Sequence, residues 1–166
     1  MAHIIPDQIL DAALDEIVKF SDDEARAEID RISIMQPALV EYFMAMMKDS
    51  EGDVQGFAWG MFIALHTVFE KQFGPLQKVG MKTVEQMADR NEQAMIYLRI
   101  REPDEEAFSA ALADSVRQPS LLAYVSASIF TPEVNEPELS EIQQDGLWII
   151  MKTVIDALDS AVYPNR

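Results

Sequence analysis

The stretch that decides the fold is EGDVQGFAWGMFIALHTVFEKQFG, residues 51–74. Within it, residues 54–69 form the longest run of the chain without a charged side chain. As a helix this run is ~24 Å long, which is short of the ~30 Å hydrocarbon core of a bilayer, and it contains Gln55 and His66. The sequence therefore predicts that this run does not span a membrane. It predicts instead a central apolar helix, at about residues 51–73, in a water-soluble helical bundle.

The rest of the chain is also helical in pattern, because apolar residues recur at intervals of three and four and strict alternation is nearly absent. Helices are predicted to start near residues 6, 22, 37, 51, 83, 103, 119 and 138, with short turns between them. These starts show no fixed period with shared residues, so a repeat solenoid is not favoured. We expect an all-α fold, in which residues 1–166 form a single domain, a compact bundle of about seven to eight helices.

Several helix ends are marked by local signals. Ser21 followed by Glu24 is a capping box that starts the second helix, and Ser50 followed by Asp53 resembles another at the start of the fourth. Gly74 with a following proline is typical of a helix end.

Charge and composition exclude several classes of function. The chain has 13 basic and 29 acidic residues, a net charge of -16, which repels nucleic acid and anionic lipid. It has no cysteine, so disulfides, thiolate metal sites and cysteine nucleophiles are excluded. The first ten residues, MAHIIPDQIL, have no basic start and no apolar run of the kind that a secretion signal needs. We expect a cytoplasmic protein without nucleic-acid or membrane partners.

Small residues recur every four positions along the central helix, at Gly52, Gly56, Gly60 and Ala64. An interior helical glycine costs ~1 kcal/mol relative to alanine, and close packing against a neighbouring helix would offset that cost. The neighbour is either another helix of the chain or a second subunit of a homodimer. We therefore expect close helix packing at Gly56, Gly60 and Ala64, with Gly60→Leu destabilising the fold through overpacking.

The central helix also carries the candidate site residues. At 100° per residue, Trp59, His66 and Glu70 lie within about 40° of one another, and Met61 lies between Trp59 and His66 in the sequence. These four residues are the candidate lining of a small apolar-ligand pocket. His66 is either a core histidine satisfied by its own helix, a general base or a metal ligand.

A metal site requires more ligands than the sequence pattern supplies. The chain contains no Glu-x-x-His pair of the kind that di-iron bundles use, and the second histidine, His3, lies near the chain start. We predict neither a metal nor a cofactor. No Gly-x-Ser-x-Gly, phosphate-binding loop or His-Glu-x-x-His motif is present either, so the catalytic residues, if any, are unassigned and the sequence favours a chain that is not an enzyme.

Two features of the sequence indicate association. Asn91 lies within an apolar seam of the fifth helix, where a polar residue can fix register or oligomeric state. The ten methionines are suited either to filling an irregular core or to lining a groove for varied apolar partners. Three hypotheses follow: a non-enzymatic protein-interaction or regulatory module, with another protein or a second copy as partner; a binder of small apolar ligands; and an enzyme that uses His66 with carboxylates.

Overall fold

The computed structural model describes residues 4–100 and 117–164, without the side chains of residues 97–100. Within these ranges the chain is all-helical, without strands, so the predicted fold class is confirmed. The predicted helix at 103–116 lies outside the described residues. The seven described helices are α1 (Asp7–Ile17), α2 (Asp22–Met35), α3 (Pro37–Met47), α4 (Gly52–Phe73), α5 (Met81–Ile100), α6 (Pro119–Phe130) and α7 (Glu141–Ser160).

The centre of the bundle is shared by two helices. Helix α4 has six consecutive buried residues, Met61–His66, and α7 has six at Ile150–Ile155. Since six successive helical positions face every direction, both helices are surrounded there by other parts of the chain. Helix α4 packs on α1, α2 and α7, whereas α7 packs on α3, α4, α5 and α6. The predicted central helix is confirmed, and α7 is a second one.

The local signals fixed some helix ends better than others. The Ser21–Glu24 capping box is present, with both reciprocal hydrogen bonds. Gly74 ends α4 with a positive φ of 73°, and its N–H donates to Glu70 O at 2.8 Å. The capping box predicted at Ser50 is wrong, because Glu51 is the N-cap of α4 and makes no side-chain cap. The starts predicted near 83 and 138 are displaced to Met81 and Glu141.

Two segments 82 residues apart have the same structure. QPALVEYFMAMM (36–47) and QPSLLAYVSASI (118–129) are identical at five of twelve positions. Each begins with a buried glutamine of similar backbone angles, φ -132° and ψ 63° at Gln36 and φ -128° and ψ 77° at Gln118. The same four apolar positions of α3 and α6 are buried: Leu39, Val40, Phe43 and Met47 in one, and Leu121, Leu122, Val125 and Ile129 in the other.

The two buried glutamines tie the halves of the chain together reciprocally. Gln36 Oε1 accepts the N–H of Val79, just before α5, at 3.0 Å. Gln118 Oε1 accepts the N–H of Ile5, just before α1, at 2.9 Å. Helix α3 likewise packs on α5, and α1 packs on α6. This exchange is the pattern that a two-fold axis produces. We call residues 4–78 the N-terminal half and residues 79–164 the C-terminal half.

None of the helices in the described part of the chain combines the length and apolar composition needed to cross a bilayer.

Candidate functional site

A group of charged side chains surrounds the buried His66 and joins α2 to α4. His66 and Glu70 lie one turn apart on α4, and His66 Nδ1 is 3.1 Å from Glu70 Oε1. Glu28 and Arg31 reach the same place from α2. Arg31 donates to Glu70 Oε2 at 3.0 Å and to Glu28 Oε2 at 3.2 Å, and its Nη2 contacts the other oxygen of each carboxylate. We call Glu28, Arg31, His66 and Glu70 the His66 cluster.

The cluster strongly favours the ionised form of Glu70. Burial alone would raise the pKa of Glu70, but the neighbouring His66 imidazole and Arg31 guanidinium outweigh it and lower that pKa from 4.5 to about 2. Hydrogen bonds to Glu70 and Glu28 raise the pKa of Arg31 in return. Glu70 is therefore a fixed anion near neutral pH and cannot serve as a proton acceptor for a substrate.

The His66 side chain is fully buried, and its ring nitrogens lack hydrogen bonds to the described residues. The 3.1 Å approach of Nδ1 to Glu70 is thus a charge contact without hydrogen-bond geometry. Buried polar groups are hydrogen-bonded in the great majority of proteins, so this histidine stands out.

The four residues predicted to line one pocket are distributed differently. His66 and Glu70 meet in the His66 cluster. Trp59 packs in an aromatic group on the α3 side, with its ring centroid 4.4 Å from Phe43 and 5.5 Å from Phe62. Met61 is five residues before His66, about 140° away around the helix, and it is buried in the core. Met61 therefore leaves α4 away from His66 and Glu70, and a ligand pocket at the four residues stays a prediction.

A second polar cluster, which the sequence did not single out, lies between α5 and α7. Lys152 is buried and donates to Asn91 Oδ1 and to Asp156 Oδ2, each at 2.9 Å. Asn91 Nδ2 donates to Thr153 Oγ1 and to Asp156 Oδ2, each at 3.1 Å. The one signal in the sequence was Asn91 within its apolar seam. Its partners are on α7 of the same chain, so Asn91 fixes the register of an internal helix pair.

The small residues of α4 do not have the neighbour that the sequence suggested. A Cβ built at Gly52, Gly56 or Gly60 would have no atom of the surrounding described residues within 4 Å. Close packing of Gly56 and Gly60 against another described helix is therefore wrong, because among the described residues no atom comes within 4 Å of either Cβ position. Ala64 is fully buried, since it lies where the helix enters the core. Packing against a second subunit stays a prediction. We call Gly52, Gly56 and Gly60 the glycine face.

An open groove of about 390 Å³ lies beside the glycine face. Asp53 and Phe57 of α4 form one side of it, and residues 134–137 of the loop before α7 form the other. On α4, Asp53, Gly56 and Gly60 are within about 60° of each other. Both charged residues of the lining, Asp53 and Glu136, are acidic, and Val134 is fully exposed. The groove thus combines apolar surface with negative charge.

Comparison with known proteins does not assign this chain: no family model matches it, and no curated protein or solved structure matches it.

Proposed function

We propose that this chain is a non-enzymatic, cytoplasmic protein-interaction module, and that its groove and glycine face bind a basic, apolar helical segment of a protein partner. The observation that carries the proposal is the open side of α4. Two interior glycines there lower helix stability by about 2 kcal/mol together, and no described neighbour makes use of their missing side chains. A partner helix could approach the α4 backbone closely at this place.

Charge indicates the kind of partner. The groove is lined by two carboxylates on a protein of net charge -16. Such a surface attracts a segment with lysine or arginine beside its apolar residues, and it repels an acidic one. A symmetric homodimer through this groove would place the same acidic surfaces against each other. A different protein is therefore the better occupant, although homodimer formation is an outcome that the experiment below detects.

The two other hypotheses have less support. An enzyme that uses His66 needs a substrate at an imidazole that is fully buried, beside a carboxylate that Arg31 neutralises. A ligand pocket at Trp59, Met61, His66 and Glu70 needs side chains from opposite sides of α4 to converge.

The test uses two synthetic amphipathic helical peptides with the same apolar positions, one with lysines and one with glutamates on the polar face. Binding to the full chain is measured by fluorescence anisotropy at low and high salt. We expect the lysine peptide to bind, more weakly in high salt, and the glutamate peptide not to bind. Replacing both Gly56 and Gly60 by leucine should weaken binding at least tenfold while the fold is retained, because no described atom lies within 4 Å of either added Cβ.

Gly146→Leu is the matched control. This glycine of α7 also has nothing within 4 Å of its Cβ position, so its substitution should leave binding unchanged. Equal binding of both peptides, or equal loss in the control, would contradict the proposal. Light scattering on the same samples measures the mass of the protein. If the unmodified protein is a dimer and the Gly56 and Gly60 variant is a monomer, the occupant of the groove is a second copy of this chain and not another protein.

A further inference from the structure

We propose that Glu28, His66 and Glu70 form a binding site for a divalent transition-metal ion such as Zn²⁺, and that Arg31 holds this place when no ion is bound. Each of the three residues offers one ligand atom, and these atoms all lie within 4.8 Å of one another. The site is independent of the groove, since it joins α2 to the second half of α4.

The donor set suits such an ion. One imidazole nitrogen with two carboxylate oxygens is a combination that Zn²⁺ accepts, with a fourth position left for water. Bond lengths of about 2.0–2.2 Å in a tetrahedral site place ligand atoms about 3.4 Å apart. Ligand atoms that lie up to 4.8 Å apart must therefore approach each other by up to about 1.4 Å. Rotation of the Glu28 and Glu70 side chains can supply this movement. Both carboxylates are partly exposed, at 19% and 21%, so an ion can reach them from solvent.

His66 is the observation that points to a ligand. A fully buried imidazole whose nitrogens both lack a hydrogen bond to a described residue destabilises the fold unless another group satisfies it. Its Nδ1 lies at the cluster, 3.1 Å from a Glu70 oxygen, and makes no hydrogen bond to a described residue. A metal ion between these two atoms would use the nitrogen lone pair, because a neutral imidazole is a metal ligand.

Arg31 now supplies the positive charge that the two carboxylates require. Its guanidinium donates to all four of their oxygens, so an ion can bind only when this side chain leaves. Arg31 is 44% exposed and long, and it can turn into solvent without disturbing the core. A doubly charged ion then replaces a single charge. Removing the guanidinium should therefore strengthen metal binding. If the cluster were only a structural group of ion pairs, the same change would not produce metal binding.

The experiment titrates the untagged, metal-free full chain with Zn²⁺ by calorimetry, and with Co²⁺ by visible absorption. All proteins carry His3→Gln, so that His66 is their one histidine. We expect binding that Glu28→Gln weakens at least tenfold and Arg31→Gln strengthens at least tenfold. Circular dichroism checks the fold of each variant, and His66→Gln is tested only where the fold is retained.

Glu16→Gln is the matched control, because Glu16 also forms an ion pair between helices, with Lys71 of α4 at 2.7 Å. Its metal binding should equal that of the parent. Absence of binding in both the parent and the Arg31→Gln protein would overturn the proposal. Binding that Glu28→Gln leaves unchanged would place the ion elsewhere, and it would equally overturn the assignment.

Discussion

In the N-terminal half the last of the six consecutive buried residues of α4 is His66, whereas the last of the six consecutive buried residues of α7 in the C-terminal half is Ile155. Met44 and Met46 are exposed on α3, and the aligned residues of α6 are Ser126 and Ser128. In contrast, the buried glutamine, the following proline and the four buried apolar positions of α3 and α6 are shared. The comparison separates residues that maintain the fold, which recur in both halves, from residues present in one half only.

The polar contents of the two halves differ in kind. The N-terminal half places its charges at the α2–α4 boundary, in a cluster open to solvent through Arg31. The C-terminal half places a lysine inside the α5–α7 interface, where Asn91, Thr153 and Asp156 surround it. Buried, fully paired networks of the second kind specify helix register. An accessible cluster with an unsatisfied histidine is better suited to binding.

The largest expected effect tests the equivalence of the two glutamines. Gln36→Leu leaves the N–H of Val79 and the carbonyl of Gln77 without their partner, and we expect it to lower the free energy of unfolding by about 2–5 kcal/mol. Gln118→Leu should cost a similar amount, through Ile5 and Asp159. Urea denaturation measures both. Gln72→Leu, on the exposed side of α4, is the control and should change stability by less than about 0.5 kcal/mol. A large loss in one half alone would refute the two-fold relation.

The next effect concerns the buried network of the C-terminal half. Asn91→Leu removes a hydrogen-bond partner from Lys152 and from Thr153, and it should destabilise the protein by about 2–3 kcal/mol. Among the described residues, the α1–α4 interface of the N-terminal half has no buried polar network of this kind. The substitution therefore tests a contribution to stability that only the C-terminal half has. Thermal unfolding is the measurement, and Gln93→Leu on the exposed side of α5 is the control. A loss no larger than the control's would show that Lys152 finds other partners.

Local chemistry explains which parts of the fold the sequence predicted. The bounds of α4 follow from its charge-free run and from Gly74, and the Ser21 capping box needs only neighbouring residues. Helix α7 starts at Glu141, later than the predicted start near 138, because Ser140 and Gln143 form its capping box. The repeat is visible in the sequence as Gln-Pro at 36 and at 118. The spacing of the predicted helix starts does not reveal it, because those starts have no fixed period.

The candidate site was predicted in part, for a physical reason. His66 and Glu70 are one turn apart on a single helix, so periodicity brings them together. Glu28 and Arg31 join them through tertiary packing, which no local pattern encodes. Close packing at Gly56 and Gly60 could not be predicted reliably, because a glycine in a helix suits both a close helix contact and an exposed surface. Only the position of the neighbouring helices distinguishes these two cases.

A smaller effect sharpens the comparison at the His66 cluster through pH. With no metal ion bound, the effect of burial on the pKa of Glu70 is outweighed by His66 and Arg31, which lower that pKa from its ordinary value of 4.5 to about 2. A carboxyl with a lowered pKa stabilises the fold fully above its unfolded value, and this stabilisation is lost as the pH falls from about 4.5 towards 2. We therefore expect Glu70→Gln to reduce the slope of unfolding free energy against pH in that window. An unchanged slope would show that Arg31 and His66 do not hold this carboxylate.

The smallest expected effect is on the open side of α4. Because Cβ atoms at Gly56 and Gly60 meet nothing within 4 Å, each glycine-to-alanine substitution should stabilise the isolated protein by about 0.5–1 kcal/mol, through helix propensity. This reverses the overpacking that the sequence suggested for Gly60→Leu. Urea denaturation at low protein concentration is the measurement, and Gly146→Ala of α7 should give a similar gain. Destabilisation at Gly56 and Gly60 alone, growing with protein concentration, would mean that this surface is already covered by a second copy.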